Sequence, residues 1–200
     1  MALRIYFLRH GLPEHSECLR GISDFALTDD GFTQMERSYS RITDKVDMII
    51  SSPLSRCLTF AEFASNKLNV PLKIDGNWQE LDFGDWDGES RKVLEEKYPD
   101  EVISYWKEPW DNTPPNAECL DELQIRTRLA FDDLCQKYED KVILIVTHSA
   151  VMRMMLMEFL DITPRSNSIF ASLQMPYAAL MCVDAFNVNG KIKTIFHYPS

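Results

Sequence analysis

The sequence predicts an α/β fold: a three-layer sandwich with a mostly parallel central sheet, helices on both faces and a partly helical insertion over the functional site. Three observations carry this. Short runs of branched and aromatic apolar residues at 4–8, 47–50 and 142–146 read as buried strands. A helical pattern follows each run, and alternating strands and helices imply parallel pairing with right-handed crossovers. Each run also stops abruptly on polar residues: Arg9-His10, Ser51-Ser52-Pro53-Leu54-Ser55-Arg56 and Thr147-His148-Ser149. With 200 residues, 45% of them apolar and 26% charged, the chain suits a single domain, 1–200, with a sizeable core.

After the first strand, Thr28-Asp29-Asp30-Gly31 offers capping side chains, and Phe32, Met35, Tyr39, Ile42 and Val46 recur at helical spacing. After the second, Ser52 is placed to cap and Pro53 to take the first helical position, with Leu54, Leu58, Ala61 and Leu68 on one face. Residues 78–115 differ. They hold all four tryptophans, many acids and Pro99, Pro109, Pro114 and Pro115, which reads as an irregular insertion and not a second domain. A long helix is expected over 117–138, carrying Leu120, Leu123, Leu129, Phe131 and Leu134. Residues 149–160 are apolar all round, so this helix is expected to be buried, with Met152, Met154, Met155 and Met157 filling core. Runs at 178–186 and 191–198 flank Asn189-Gly190, the signature of a hairpin with a type I′ turn.

The formal charge of −10 argues against broad nucleic-acid binding and against attachment to an anionic membrane. It leaves room for a small anionic substrate, because a few arginines make one pocket positive. Five cysteines without paired spacing read as reduced thiols, with neither a zinc site nor a disulfide framework. Arg4 and Arg9 cut the first apolar run too short for a signal peptide, so a cytoplasmic protein is expected. Nothing in the sequence speaks to oligomeric state.

In open α/β sheets the carboxyl ends of the strands line the ligand crevice, which would bring Arg9, His10, Arg56 and His148 together. A phosphoryl group spreads charge over three oxygens and suits arginine forks, and an imidazole can attack phosphorus to form a covalent intermediate. His10 is thus the candidate nucleophile, with Gly11 allowing a sharp turn and close approach. His148, where a helix should begin, would stabilise charge together with Ser149. A carboxyl group must protonate the leaving oxygen and then activate water; Glu80, among the apolar Trp78, Leu81 and Phe83, is best placed. Glu14 and His15, close to the hinge, and Trp86, as a stacking platform, are candidate substrate contacts. The acidic run Asp82, Asp85, Asp87 and Glu89 reads as a solvated loop rather than a magnesium site, since arginines already supply the positive charge; no metal or cofactor is expected.

Leu8-Arg9-His10-Gly11, Ser52-Pro53-Leu54-Ser55-Arg56, Glu80 before Gly84, and Thr147-His148-Ser149 followed by Arg153 together resemble the histidine phosphatase superfamily, the phosphoglycerate-mutase-like fold. The resemblance implies that His10 is a phosphohistidine nucleophile, that Arg9, Arg56 and His148 bind phosphate, and that Glu80 donates the proton. Within the family, Leu27-Thr28-Asp29-Asp30-Gly31, the 81–88 run and Pro114-Pro115-Asn116-Ala117-Glu118 look most like the α-ribazole-5′-phosphate phosphatase branch of cobalamin biosynthesis. The chain departs from the family pattern at Leu12-Pro13, at Ser149-Ala150 and at Asn116-Ala117-Glu118-Cys119. The expected activity is hydrolysis of a small phosphorylated metabolite. The alternatives are mutase-type phosphoryl transfer, another small-molecule phosphatase of the same fold, and an inactive phosphate-binding protein.

Overall fold

The computed structural model describes residues 2–162 and 165–197. Six strands form one mixed sheet: β1 (Leu3–Arg9), β2 (Met48–Ser51), β3 (Leu72–Ile74), β4 (Val142–Thr147), β5 (Leu180–Val188) and β6 (Lys191–His197), in the order β3-β2-β4-β1-β5-β6. The first four run parallel where they pair, and the β5–β6 hairpin adds antiparallel strands beside β1. The central strands are apolar through their middles, Ile5 to Leu8 in β1 and Val142 to Val146 in β4, because both faces are covered. Ile5, Phe7, Ile143 and Ile145 face one core, which includes the helices α5 (Leu120–Lys137) and α6 (Ser149–Phe159); Tyr6, Leu8, Leu144 and Val146 face the other, with α1 (Asp29–Tyr39) and α2 (Ser55–Leu68). The insertion folds as two 3-10 turns, Gly76–Trp78 and Gly84–Trp86, followed by α3 (Arg91–Lys97) and α4 (Pro99–Lys107). A further short helix, α7 (Asn167–Ser172), was not expected, nor was the edge strand β3. At three residues, β3 is too short to show a pattern.

The hairpin turn has Asn189 and Gly190 both at positive φ, as a type I′ turn requires. The expected second strand reached 198, and Tyr198 lies outside the described residues. Thr28 caps α1 through its side chain, but the helix ends at Tyr39 and leaves Ile42 and Val46 in the following loop. The start of α2 differs more. Ser52 does not cap it and Pro53 is not helical: the helix begins at Ser55, and the Asp24 carboxylate takes the Ser55 N–H at 2.7 Å instead. The Ser52 hydroxyl is diverted to His148, 2.7 Å away. On α5, Leu129 points outward at 64% exposed, since the buried stripe runs through Leu120, Leu123, Phe131 and Leu134.

Two backbones cross where β1 leaves the sheet. Leu12 accepts from the Thr28 hydroxyl at 2.7 Å and donates its N–H to Gln34 at 3.0 Å, and Pro13 bridges Leu27. A Cβ on Gly11 would lie 1.9 Å from the Gly31 carbonyl oxygen, and one on Gly31 would lie 2.2 Å from the Leu12 oxygen. The glycines allow this approach, and the approach aims the residue before Gly11. Gly11→Ala and Gly31→Ala are therefore each expected to lower stability by about 1–3 kcal/mol or more in urea melts. Gly76→Ala, which meets nothing within 4 Å, should stay within about 0.5 kcal/mol of the parent; equal effects at all three positions would contradict the crossing.

Candidate active site

The parallel register of β1 and β4 pairs Arg9 with Thr147, so the next residue of each strand, His10 and His148, emerges side by side. Their rings lie 5.1 Å apart between centroids, and both residues are buried, at 3% and 0% exposed. The His10 N–H donates to the Thr147 carbonyl at 2.9 Å. Its ring Nδ1 sits 2.7 Å from the Gly11 carbonyl oxygen, which can only accept, so Nδ1 carries the proton and Nε2 keeps its lone pair. The Ser52 hydroxyl and the Cys57 thiol, 3.4 Å from Nε2, hold the His148 ring, and the thiol donates to the Thr147 carbonyl. Burial, reinforced by Arg9 and Arg56, pushes His10 well below the usual imidazole range. His148 is pushed down by burial, then by Arg56 and by His10.

Arg56, in the first turn of α2, is fully buried; its guanidinium donates to the carbonyls of Ser23 at 2.8 Å and Gly21 at 2.5 Å. The 21–23 loop is held in turn by the Asp87 carboxylate, which accepts from the N–H groups of Gly21, Ile22 and Ser23. Arg9 donates to the Met175 carbonyl and stacks on Tyr177, its guanidinium carbon 4.3 Å from the ring centroid. Burial lowers its pKa. The Nε–H groups of Arg9 and Arg56 are buried without a hydrogen-bond partner among the described residues.

Glu80, 5% exposed, lies across the amino end of α6. One oxygen accepts from Ala150 N–H at 3.0 Å and Leu81 N–H at 3.2 Å; the other accepts from Ser149 N–H at 3.2 Å and its hydroxyl at 3.3 Å. The helix end that was expected to face phosphate thus holds this carboxylate, and Ser149 is engaged with it. Arg126 of α5 fixes the Glu80 backbone by donating to the carbonyls of Asn77, Gln79 and Glu80 while paired with Glu118, and Thr147 donates to the Trp78 carbonyl at 2.6 Å.

A family model described as histidine phosphatase superfamily (branch 1) matches residues 5–196. The chain belongs to that superfamily. The bifunctional protein Rv2228c of Mycobacterium tuberculosis is 30% identical over 162 residues, covering 79% of this chain and 44% of its own length, so the chain spans less than half of that relative. Phosphoserine phosphatase 1 of Hydrogenobacter thermophilus is 24% identical over 199 residues, covering 98% of this chain and 94% of that protein. Among solved structures, the mycobacterial glucosyl-3-phosphoglycerate phosphatase Rv2419c has a TM-score of 0.84 at 19% identity, covering 98% and 97% of the two chains. The alpha-ribazole phosphatase from Shigella flexneri gives 0.80 at 18%, covering 99% and 96%. At these identities the structures establish a shared histidine phosphatase fold.

Against that fold, the structure gathers Arg9, His10, Arg56, Glu80, His148 and Ser149 at the strand ends. It does not gather Trp86 there: the ring is 2% exposed, stacked on Tyr98 and edge-on to Tyr105 inside the insertion. Glu14 is exposed, and His15 packs on Phe25 beside Glu17 at the surface. The acidic run is not a free solvated loop: Asp87 holds 21–23, Asp82 accepts from Gly84 N–H, Asp85 accepts from Asn116, and Glu89 pairs with Lys97. Sequence reading missed Tyr177, Arg20, Cys57 and Arg126. For Arg126, its place on α5 opposite Glu118, two turns back, was the available signal; Tyr177 and Arg20 sit in irregular loops that leave no pattern.

Both buried imidazoles should stay neutral at pH 6.5, where a free histidine is half protonated. Nuclear magnetic resonance should find the His10 and His148 rings without a protonation shift between pH 8 and pH 5.5, their signals assigned by His10→Ala and His148→Ala. Because the unfolded chain takes up protons below about pH 6.5 and this native pair does not, the pair makes native stability fall as pH drops below that value, by up to about 1.4 kcal/mol per unit for each ring. Ordinary titration of both rings near 6.5 would contradict this.

Proposed function

We propose that this chain is a phosphomonoesterase that works through a phosphohistidine on His10. The observation that carries the proposal is the His10 ring, buried beside His148 with Nδ1–H tied to the Gly11 carbonyl and Nε2 left as the nucleophile, and with Arg9 and Arg56 close enough to act on its charge. Arg9, Arg56 and His148 hold the phosphoryl oxygens while Nε2 attacks phosphorus in line and the bond to the alcohol oxygen breaks. Glu80 gives its proton to that oxygen. In the second half, Glu80 takes a proton from water, the oxygen of which attacks phosphorus; the phosphorus–nitrogen bond breaks, and inorganic phosphate leaves with His10 neutral again. Ser149 suits both states of Glu80, since a hydroxyl donates to a carboxylate and accepts from a carboxylic acid.

Among phosphomonoesters, α-ribazole 5′-phosphate is the proposed substrate that the sequence resemblance supports. The stretches behind that resemblance have scaffold roles here. Leu27 to Gly31 forms the crossing with Gly11 and Leu12, while 81–88 and 114–118 clasp each other through Asp85 N–H to the Pro115 carbonyl and Glu118 N–H to the Asp82 carbonyl. The alcohol half of the substrate is therefore read by other residues.

With p-nitrophenyl phosphate carrying labelled phosphorus, rapid quenching should trap label on the wild-type protein and none on His10→Ala. Glu80→Gln should lower turnover by about 10²–10⁴-fold. Phosphate release without a bisphosphate primer separates hydrolysis from mutase-type transfer. Turnover that persists without a labelled intermediate, and survives His10→Ala, would remove His10 as nucleophile.

A further inference from the structure

Two polar side chains beside His148, Ser52 and Cys57, are fully buried and take no part in the bond-making steps above. Ser52 is pinned at the end of β2. Its N–H donates to the Val146 carbonyl of β4 at 3.0 Å, two residues before His148, and its own carbonyl accepts from the Ser51 hydroxyl at 2.8 Å. The Ser52 hydroxyl oxygen takes the Leu54 N–H at 3.3 Å and stands 2.7 Å from His148 Nε2.

Burial keeps the His148 ring neutral, and a neutral imidazole holds one N–H, so the place of that proton decides what the ring can do. With Nε2 engaged by Ser52, Nδ1 is the ring nitrogen left for a phosphoryl oxygen, and it can hold an oxyanion only if it carries the hydrogen. Two proton arrangements satisfy the 2.7 Å contact. In the first, the Ser52 O–H donates to Nε2 and the ring proton lies on Nδ1. In the second, Nε2–H donates to the Ser52 oxygen, Nδ1 turns a lone pair toward the site, and the Ser52 hydrogen is left to the Cys57 sulfur within its reach. Sulfur is a weak acceptor, which favours the first arrangement. The Leu54 N–H already occupies one lone pair of the Ser52 oxygen, leaving its hydrogen free to point at the ring. Cys57, kept protonated by burial, turns its own hydrogen to the Thr147 carbonyl at 3.4 Å and so does not compete for Nε2.

Resting on the phosphomonoesterase reading, we propose that Ser52 is a positioning residue: its hydroxyl donates to His148 Nε2, which fixes the single proton of that ring on Nδ1 and makes a neutral histidine a hydrogen-bond donor to the phosphoryl group. The two site histidines then share one tautomer set from opposite ends, by a carbonyl that accepts from Nδ1 of His10 and by a hydroxyl that donates to Nε2 of His148. They offer the substrate opposite groups, a lone pair from His10 and an N–H from His148. Holding an imidazole in one tautomer is a strong lever on rate in other histidine-dependent sites.

Protein labelled with nitrogen-15 in histidine shows which ring nitrogen is protonated through two-bond proton–nitrogen correlations. At pH 7.5 the wild-type His148 ring, identified by loss of its signals in His148→Ala, should carry its proton on Nδ1. In Ser52→Ala the proton should move wholly or in part to Nε2. Inorganic phosphate, measured by calorimetry, should then bind about 10- to 100-fold more weakly, with a similar fall in kcat/KM for p-nitrophenyl phosphate. Ser52→Thr, which keeps the hydroxyl, should restore both. A wild-type proton on Nε2, or a tautomer unchanged in Ser52→Ala even where activity falls, overturns the assignment. The wild-type spectrum decides alone if a variant at this buried position does not fold. If the wild type does not hydrolyse p-nitrophenyl phosphate, the hydrolase reading fails by itself, and the spectra and phosphate binding still decide the role of Ser52.

Discussion

A guanidinium buried without a carboxylate is the constraint around which this molecule is arranged. Placing Arg56 out of water is costly, and two carbonyl acceptors, at Gly21 and Ser23, offset only part of that cost. A carboxylate in the same place would neutralise the charge and abolish its use for an anion. The fold instead holds the 21–23 loop rigidly, so that the carbonyls cannot drift and the charge stays available. Asp87 does this by taking three successive N–H groups of the loop, and the 3-10 turn that carries Asp87 is locked by Gly84, where a Cβ would lie 2.2 Å from the Pro115 oxygen. Asp87 of the insertion thus acts on the phosphate site through a loop rather than by contact.

The remaining groups are positioned by regular structure. Register between β1 and β4 sets the two histidines side by side, and the end of β2 brings Ser52 against His148. Glu80 comes from irregular chain, and it is correspondingly the most heavily tied: α6 grips the carboxyl group and Arg126 of α5 grips the backbone. Site groups on strand ends need few supports, while a group on a loop needs many.

The strands other than β3, the sheet's two-faced burial and the meeting of Arg9, His10, Arg56 and His148 were legible because each rests on local pattern: apolar runs, a polar stop, and the rule that such stops share one edge. What was not legible depended on long-range hydrogen bonds. Ser52 looks like a cap in sequence, yet its hydroxyl serves His148 and Asp24 caps α2 from another loop. Ser149 looked like a phosphate ligand because the helix start was visible and the carboxylate across it was not. Trp86 was read as a platform by its chemistry alone, and burial in the insertion decided otherwise. Arg20 and Tyr177 meet across 157 positions in loops without periodicity, so only the folded chain brings them together.

The place of β1 in the middle of the sheet has a consequence for how the chain is made. Its partners are residues 142–147 on one side and 180–185 on the other, so the strand that carries Arg9 and His10 leaves the ribosome long before either neighbour exists. At about 5–20 residues per second, translation alone separates it from β4 by several seconds or more. Through that interval an apolar strand with two open edges has to be kept from pairing elsewhere. The nucleophile is synthesised first and the pocket closes around it last, which ties the appearance of activity to completion of the sheet.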